Sequence, residues 1–350
     1  MRSVTVDNGY TAHYMKAVIR AIEYHLPEAV LQTKDLAREF PDWPVAKIES
    51  KTGISQRHIA AAGECSSDLG IAAAKKLFAS GAAAAADIDF LLFCTQSPDY
   101  FLPTTACLVQ TALDIPTHAG ALDFNLGCSG FVYGLSLAKG LIETGQAANV
   151  LLITAETYSK FIHPRDGNVR TIFGDAAAAV LLRAEPRDDE PLGPFVFGTD
   201  GRGAKDLIVP SGGMRARAAG CEAVEDDQGY WRGPDNLYMN GPAVFNFTLN
   251  EVPASTNALL RRTNTTLADY DLFVFHQANR HMLNYLRKFI GIPEDRFYIG
   301  MERCGNTVSS TIPIALQNAA SEGRLGSGDR VMVVGFGVGY SWCAAALTWP

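Results

Sequence analysis

The chain has 350 residues, of which 47% are hydrophobic and 19% charged, with a formal net charge of -7 and a pI near 5.5. This balance excludes a disordered chain and carries no nucleic-acid footprint, because nucleic-acid binders cluster Lys and Arg while this chain is mildly acidic. The length suffices for two domains or one large duplicated core.

The opening MRSVTVDNGY lacks the charged and then apolar build of a signal peptide. The longest apolar run, AAAAVLL at 176–182, is far too short to span a bilayer. A cytoplasmic protein without a membrane partner is therefore expected. Seven cysteines, at positions 65, 94, 107, 128, 221, 304 and 343, include no C-x-x-C pair. That spacing argues against a disulfide framework and against a zinc site, so no metal or other cofactor is expected.

The first chemically interesting strand signal is DIDFLLFC from Asp87, followed by a proline-bearing helix start, LPTTACLVQTAL from Leu102. Next, ALDFNL runs through Gly127 into Cys128, and the apolar spacing of SGFVYGLSLAKGLIETG over 129–145 predicts a mostly buried helix. VLLITAE at 150–156 and AAAAVLLR at 176–183 are apolar on both faces, as strands are when helices cover both sides of a sheet. Charge and proline in RAEPRDDEPLGP, 183–194, interrupt this texture and divide the chain into halves at 1–185 and 186–350. Residues 199–241, rich in glycine and charge, predict an irregular excursion able to gate a site.

Beyond the break the same signals return. DYDLFVFHQANRH from Asp269 repeats the acidic-x-acidic strand, SSTIPIALQNAA from Ser309 repeats the proline-bearing helix start, and RVMVVGFGVGYSW from Arg330 repeats a strand ending in a glycine turn. Order kept over three consecutive elements predicts an internal duplication, in which Cys128 and the Gly335–Gly339 loop occupy equivalent turns.

Taken singly, the reactive residues have ordinary explanations. A free cysteine is often a small buried hydrophobe, a histidine after a strand is often a capped structural residue, and Gly-Asn is a common turn. Cys128, however, precedes a helix, and a fall of about 1.5 units from an ordinary thiol pKa of about 8.5 would leave it half ionised at neutral pH. Helix-end amides and one imidazole could supply that shift. His276 directly follows the strand LFVF, at the carboxyl end where open α/β sheets place their sites, and Asn306 lies in RCGNTVSS. Cysteine, histidine and asparagine together form a set suited to carbon-carbon bond formation on thioesters.

GCSGFVYGL, HQAN, GNTVSSTIP and GFGVGYSW, in that order, resemble the four motifs of the 3-oxoacyl-ACP synthase III family, within the thiolase superfamily. The likeness extends from about KTGISQRHIA, 51–60, to the C-terminus. It implies an α/β fold of duplicated thiolase type, five-layered αβαβα with two mixed sheets, and a homodimer. It further implies Cys128, His276 and Asn306 as the catalytic triad, with backbone amides of Cys128 and Gly339 as the oxyanion hole. Leu102 and Phe336 would border the acyl pocket, and Lys51, Asn279 and Arg280 would meet the carrier or thioester arm. The substrates implied are acyl-CoA or acyl-ACP thioesters, with an acyl carrier protein as partner and malonyl-ACP as the extender. The glycine turn does not read as a phosphate loop, for it lacks the G-x-G-x-x-G spacing.

Some positions depart from the family pattern. Lys47 and Lys51 stand where acetyl-CoA-primed members carry a tryptophan and an arginine, Gly167 stands for a further arginine, Pro242 for an asparagine, and Leu102 for a phenylalanine. Lysine does not reproduce stacking or bidentate phosphate contacts, so a carrier-borne or longer acyl donor is favoured. Two other functions fit the same residues. One is an acyltransferase passing the Cys128-bound acyl group to an oxygen, nitrogen or acyl-chain acceptor; the other is a non-catalytic partner subunit of a condensing heterodimer.

Overall fold

The computed structural model describes residues 14–217, 222–227 and 229–350; the opening decapeptide and Cys221 lie outside the described residues. The chain begins with β1 (Tyr14–His25), then β2 (Ala29–Gln32), α1 (Thr33–Glu39), α2 (Val45–Thr52) and β3 (Gln56–Ile59). There follow α3 (Ser66–Ala79), β4 (Phe90–Cys94), α4 (Thr105–Ala112), β5 (Gly120–Phe124), α5 (Gly130–Glu143), β6 (Asn149–Glu156), the short α6 (Gly167–Arg170) and β7 (Ala176–Arg187). After β8 (Leu192–Thr199) come four two-residue strands, β9 (Leu207–Ile208), β10 (Val224–Glu225), β11 (Trp231–Arg232) and β12 (Tyr238–Met239). The chain closes with α7 (Gly241–Thr263), β13 (Leu272–Phe275), α8 (Arg280–Ile290), α9 (Thr311–Ser321), β14 (Arg330–Gly337) and β15 (Ser341–Thr348).

Two mixed sheets carry the architecture. The first has the order β1-β7-β6-β4-β5 and the second β13-β14-β15-β8. β4 runs parallel to both β5 and β6, and β13 runs parallel to β14, while the remaining pairs in both sheets are antiparallel.

Alternation along the strands sorts their side chains into layers. Leu92, Val150 and Leu152 of the first sheet, and Val274, Val331 and Val333 of the second, point into one shared core. There they meet Phe131, Leu135 and Ile142 of α5 and Ile312 and Leu316 of α9. The intervening residues Leu91, Phe93, Leu151 and Ile153 face outward onto α3 and α4, and Phe273, Phe275, Met332 and Val334 face α7 and α8. The result is helix, sheet, helix pair, sheet, helix: the five-layered αβαβα arrangement. Among the described residues no helix is long and apolar enough to cross a membrane.

The sheet order corrects the register of the internal repeat. β4 and β13 do correspond, but β14 lies between β13 and β15 as β6 lies between β4 and β7, so the counterpart of β14 is β6 and not the strand leading to Cys128. Among the described residues, the place beside β13 that matches β5 is held by a parallel bridge from Phe297 to Phe273 and by no strand. By the same order α9 matches α5, and the turn equivalent to that of Cys128 is 308–310 ahead of α9. Short apolar strands look alike in sequence; hydrogen-bonded neighbours distinguish them.

Candidate active site

Cys128 ends the loop after β5 and immediately precedes Ser129, the N-cap of α5. Its side chain is buried, and β14 lies directly against it. A Cβ at Gly337 would stand 2.9 Å from Cys128 Sγ, and one at Gly335 would stand 2.8 Å from the Cys128 carbonyl oxygen. The glycines of the GFGVGY turn thus allow a strand to pass over the sulfur, which any larger residue would displace.

His276 follows β13 and is held by its own backbone, whose N–H donates to the Val334 carbonyl at 2.8 Å. The ring is buried, edge-on to Phe336 with centroids 5.4 Å apart. Its Nδ1 lies 2.8 Å from Thr311 Oγ1, the second residue after Ser309 and the first of α9. Asn306 is also buried; its Oδ1 accepts the Val308 N–H at 2.9 Å and its NH2 reaches the Ala278 carbonyl at 3.5 Å, which leaves the second amide hydrogen as the available donor. Val308 holds φ at 55°, a left-handed conformation costly for a β-branched residue, so the turn carrying both polar groups is strained.

Burial sets the electrostatics. It pushes the Cys128 thiol up to about 12, helped by the Glu156 carboxyl and opposed by the backbone amides of Cys128 and Val338. It pushes the His276 imidazole down to about 3. The expectation of a depressed thiol pKa is therefore corrected: loss of solvent outweighs the helix-end amides, and a neutral imidazole brings no positive charge. At rest the site holds a thiol and a neutral ring.

Thr311 decides what that ring can do. Its single hydroxyl proton can go to His276 Nδ1 or to the Val308 carbonyl, 3.1 Å away. Only the first choice leaves a proton on Nε2, where a donor is wanted. Thr311→Val removes the hydroxyl at nearly constant volume. We expect it to slow any step that needs an Nε2–H donor by about tenfold, with the acyl-loading step of Cys128 little changed, as single-turnover assays of the two steps would show.

Cys128, His276, Asn306, Phe336, Lys51 and Asn279 all line one chamber of about 220 Å³. Its wall is completed by Phe173, Leu207, Met239 and Phe245, so the irregular excursion expected over 199–241 supplies part of the lining through β9 and β12. Asn279 caps α8 by accepting the Met282 N–H at 2.8 Å. Gly339 lies in the turn between β14 and β15 with φ at 137°. Three expected residues lie outside the chamber lining: Gly339, Leu102 and Arg280. Leu102 is 81% exposed on the loop before α4, and Arg280 packs on Gly53 and faces Glu302 at 3.6 Å.

Two residues escaped the sequence reading. Trp43 lines the chamber, with Lys47 Nζ 5.0 Å and Lys51 Nζ 5.3 Å from its ring centroid. An indole is present at this end after all, supplied from the bend just ahead of α2, and the aromatic between two prolines in FPDWPVAK was its signal. Glu156 is wholly buried at the end of β6. Its signal was an acid closing an otherwise apolar strand. Among the described residues no group of three or more His, Cys, Asp or Glu could hold a metal.

Known proteins share this chain's sequence pattern and fold. The family model described as 3-oxoacyl-[acyl-carrier-protein (ACP)] synthase III matches residues 122–201, and that for the C-terminal part of the same family matches 260–349. The beta-ketoacyl-[acyl-carrier-protein] synthase III of Caldanaerobacter subterraneus subsp. tengcongensis is 35% identical across 93% of this chain and 95% of its own. Beta-ketoacyl-[acyl-carrier-protein] synthase III 3 of Streptomyces coelicolor is 38% identical, covering 95% of this chain and 97% of its own. A 2.1 Å crystal structure of a 3-oxoacyl-(acyl-carrier-protein) synthase III superposes with a TM-score of 0.94 at 54% identity, over 95% of this chain and all of that one. The 3-oxoacyl-(acyl-carrier protein) synthase of Burkholderia xenovorans LB400 follows at 0.88 and 36%, over 95% of this chain and 94% of its own. With extensive identity to several members and the family's fold, the chain belongs to the 3-oxoacyl-ACP synthase III family of thiolase-fold condensing enzymes.

Proposed function

We propose that Cys128 is the nucleophile and that His276 and Asn306 are the donors of a decarboxylative Claisen condensation. The observation that carries this reading is the burial of all three, from distant parts of the chain, around one apolar chamber. In the first half-reaction Cys128 sulfur attacks an acyl thioester, its proton passes to the departing thiol, and the acyl group remains on the enzyme. Backbone amides of Cys128 and Gly339 hold the tetrahedral oxyanion. In the second, a malonyl thioester releases carbon dioxide, and the enolate oxygen that develops is held by His276 Nε2–H and the Asn306 amide. The enolate carbon then attacks the acyl carbonyl and Cys128 departs, to be reprotonated.

On this reading the nucleophile comes from the half spanning 1–185 and both donors from 186–350. Lys51 and Asn279 in the chamber, with Arg280 beside it, would meet the thioester arm and an acidic acyl carrier protein, and Phe336 would border the acyl group. A homodimer is supported by two adjoining features. β5 is the outer strand of its sheet with Leu122 45% exposed, and Tyr100, Phe101 and Leu102 are 61%, 69% and 81% exposed. A second copy would cover this surface and bring its Leu102 toward the chamber. The reaction takes place in the cytoplasm.

Intact-mass analysis after incubation with a panel of acyl-CoAs and acyl-ACPs, followed by malonyl-ACP, tests the proposal. The expected result is one acyl adduct on Cys128, discharged with release of one carbon dioxide per 3-oxoacyl product. Discharge to a hydroxyl or amine without carbon dioxide would replace condensation by simple acyl transfer, and no adduct with any donor would refute the nucleophile.

A further inference from the structure

Glu156 has no role in the chemistry above, yet it is wholly buried at the end of β6 and has no cationic partner among the described residues. Its surroundings are donors. Gln96 N–H points at both carboxyl oxygens, at 3.2 and 3.0 Å; Ser97 Oγ donates to Oε2 at 3.2 Å and Ser309 Oγ to Oε1 at 2.9 Å. Gln96 and Ser309 touch the two sides of the nucleophile turn. A Cβ at Gly127 would collide with Gln96 Oε1, and one at Gly130 would lie 3.8 Å from Ser309 Cβ. Ser309 in turn belongs to the strained turn 308–310, whose Val308 N–H holds Asn306 and which leads into Thr311 beside His276.

We infer that Glu156 is a positioning residue whose carboxyl joins the cysteine turn to the turn that follows Asn306 and leads into Thr311, the partner of His276. This rests on Cys128 being the nucleophile. The carboxyl works as a neutral group. Burial raises its pKa to about 8, against the hydrogen bonds from Gln96, Ser309 and Ser97, with the Asp175 carboxyl adding a further upward push. Neutral, its O–H donates a hydrogen bond to Ser97 or Ser309, reversing one of the two serine bonds, and it adds no charge to the surroundings of the nucleophile turn. Ionised, it adds repulsion to a thiol already raised by burial. The other titratable groups that feel it are Cys94 of β4 and Tyr158 after β6, both themselves raised by burial, so neither titrates across neutral pH.

The two groups therefore titrate as a coupled pair. Alkylation of Cys128 by iodoacetamide, read by peptide mass so that Cys107 and Cys65 do not interfere, should climb with pH and then flatten above about pH 8, where Glu156 ionises. Glu156→Gln mimics the neutral acid. It should follow the wild type below pH 7, continue to climb without flattening, and react about tenfold faster by pH 9 to 10. Glu156→Asp keeps the charge and should still flatten. Superimposable wild-type and Gln profiles, or an Asp profile that climbs like Gln, would overturn the charge role. Glu156→Ala should lose about tenfold or more of condensation at pH 7, and Gln should restore it; equal loss in both would overturn the positioning role.

Should Glu156→Gln not fold, Ser309→Ala serves. Removing one donor from the carboxylate moves the break to higher pH, and an unmoved break overturns the inference. Acyl loading of the wild type in the same samples separates the two ideas. A wild type that takes no acyl group refutes the proposed function itself, whereas a loaded wild type with coincident profiles refutes only the part given to Glu156.

Discussion

Cys128→Ser is expected to reduce acyl loading by about 10⁴-fold or more, with no acyl adduct visible by intact mass on the time scale that saturates the wild type. The size of the effect follows from the surroundings. A serine hydroxyl would be far less acidic than the thiol it replaces, and the site offers it no base. The His276 ring is pushed down to about 3 by burial, and its Nδ1 is engaged by Thr311. Sulfur manages because a small thiolate population is intrinsically very nucleophilic and because amides of Cys128 and Val338 favour its charged form. The fold should be unaffected, since Cys128 Sγ is bordered by Gly337 and oxygen is smaller than sulfur. A serine variant that still accumulates an acyl adduct at a tenth of the wild-type rate would remove Cys128 from the mechanism.

The second large effect separates the two half-reactions. His276→Ala and Asn306→Ala should each slow decarboxylation of malonyl-ACP by about 10²- to 10³-fold, equivalent to about 3–4 kcal/mol of transition-state stabilisation, while loading of Cys128 changes less than tenfold. On the proposed reading both donors serve one enolate oxygen, so the double variant should lose far less than the product of the single losses. Carbon dioxide release from a preloaded enzyme, set beside the rate of adduct formation, measures the split. Equal losses in both steps would mean that the residues shape the chamber and do not hold the enolate. Because the imidazole is neutral down to about pH 3, its donor role should show no pH dependence of its own between pH 5 and 9.

Much of this protein was legible in its residues. VLLITAE and AAAAVLLR, apolar on both faces, became β6 and β7, central strands of a sheet covered on both sides. Cys128, His276 and Asn306 could be picked out because each follows a strand or glycine turn, and the structure brings all three to one chamber. The register of the repeat was misread because the similarity of short apolar strands says nothing about their neighbours. Trp43 was missed because its place at the chamber depends on how α2 packs on α8, whereas the aligned positions hold Lys47 and Lys51. Glu156 was missed because its donors come from Gln96, Ser97 and Ser309, distant in the chain.

The residues alone therefore determined the periodicity of the strands and helices, the turns that need glycine, and which groups are candidates for the chemistry, since each of these depends on a few adjacent positions. Which strand lies beside which, how dry the sulfur is, and which acid adds to the rise of its pKa were decided only by tertiary structure. Those properties arise from groups far apart in the chain. The strongest influence on the thiol, loss of solvent around Cys128, belongs to the assembled layers and to no local stretch of residues.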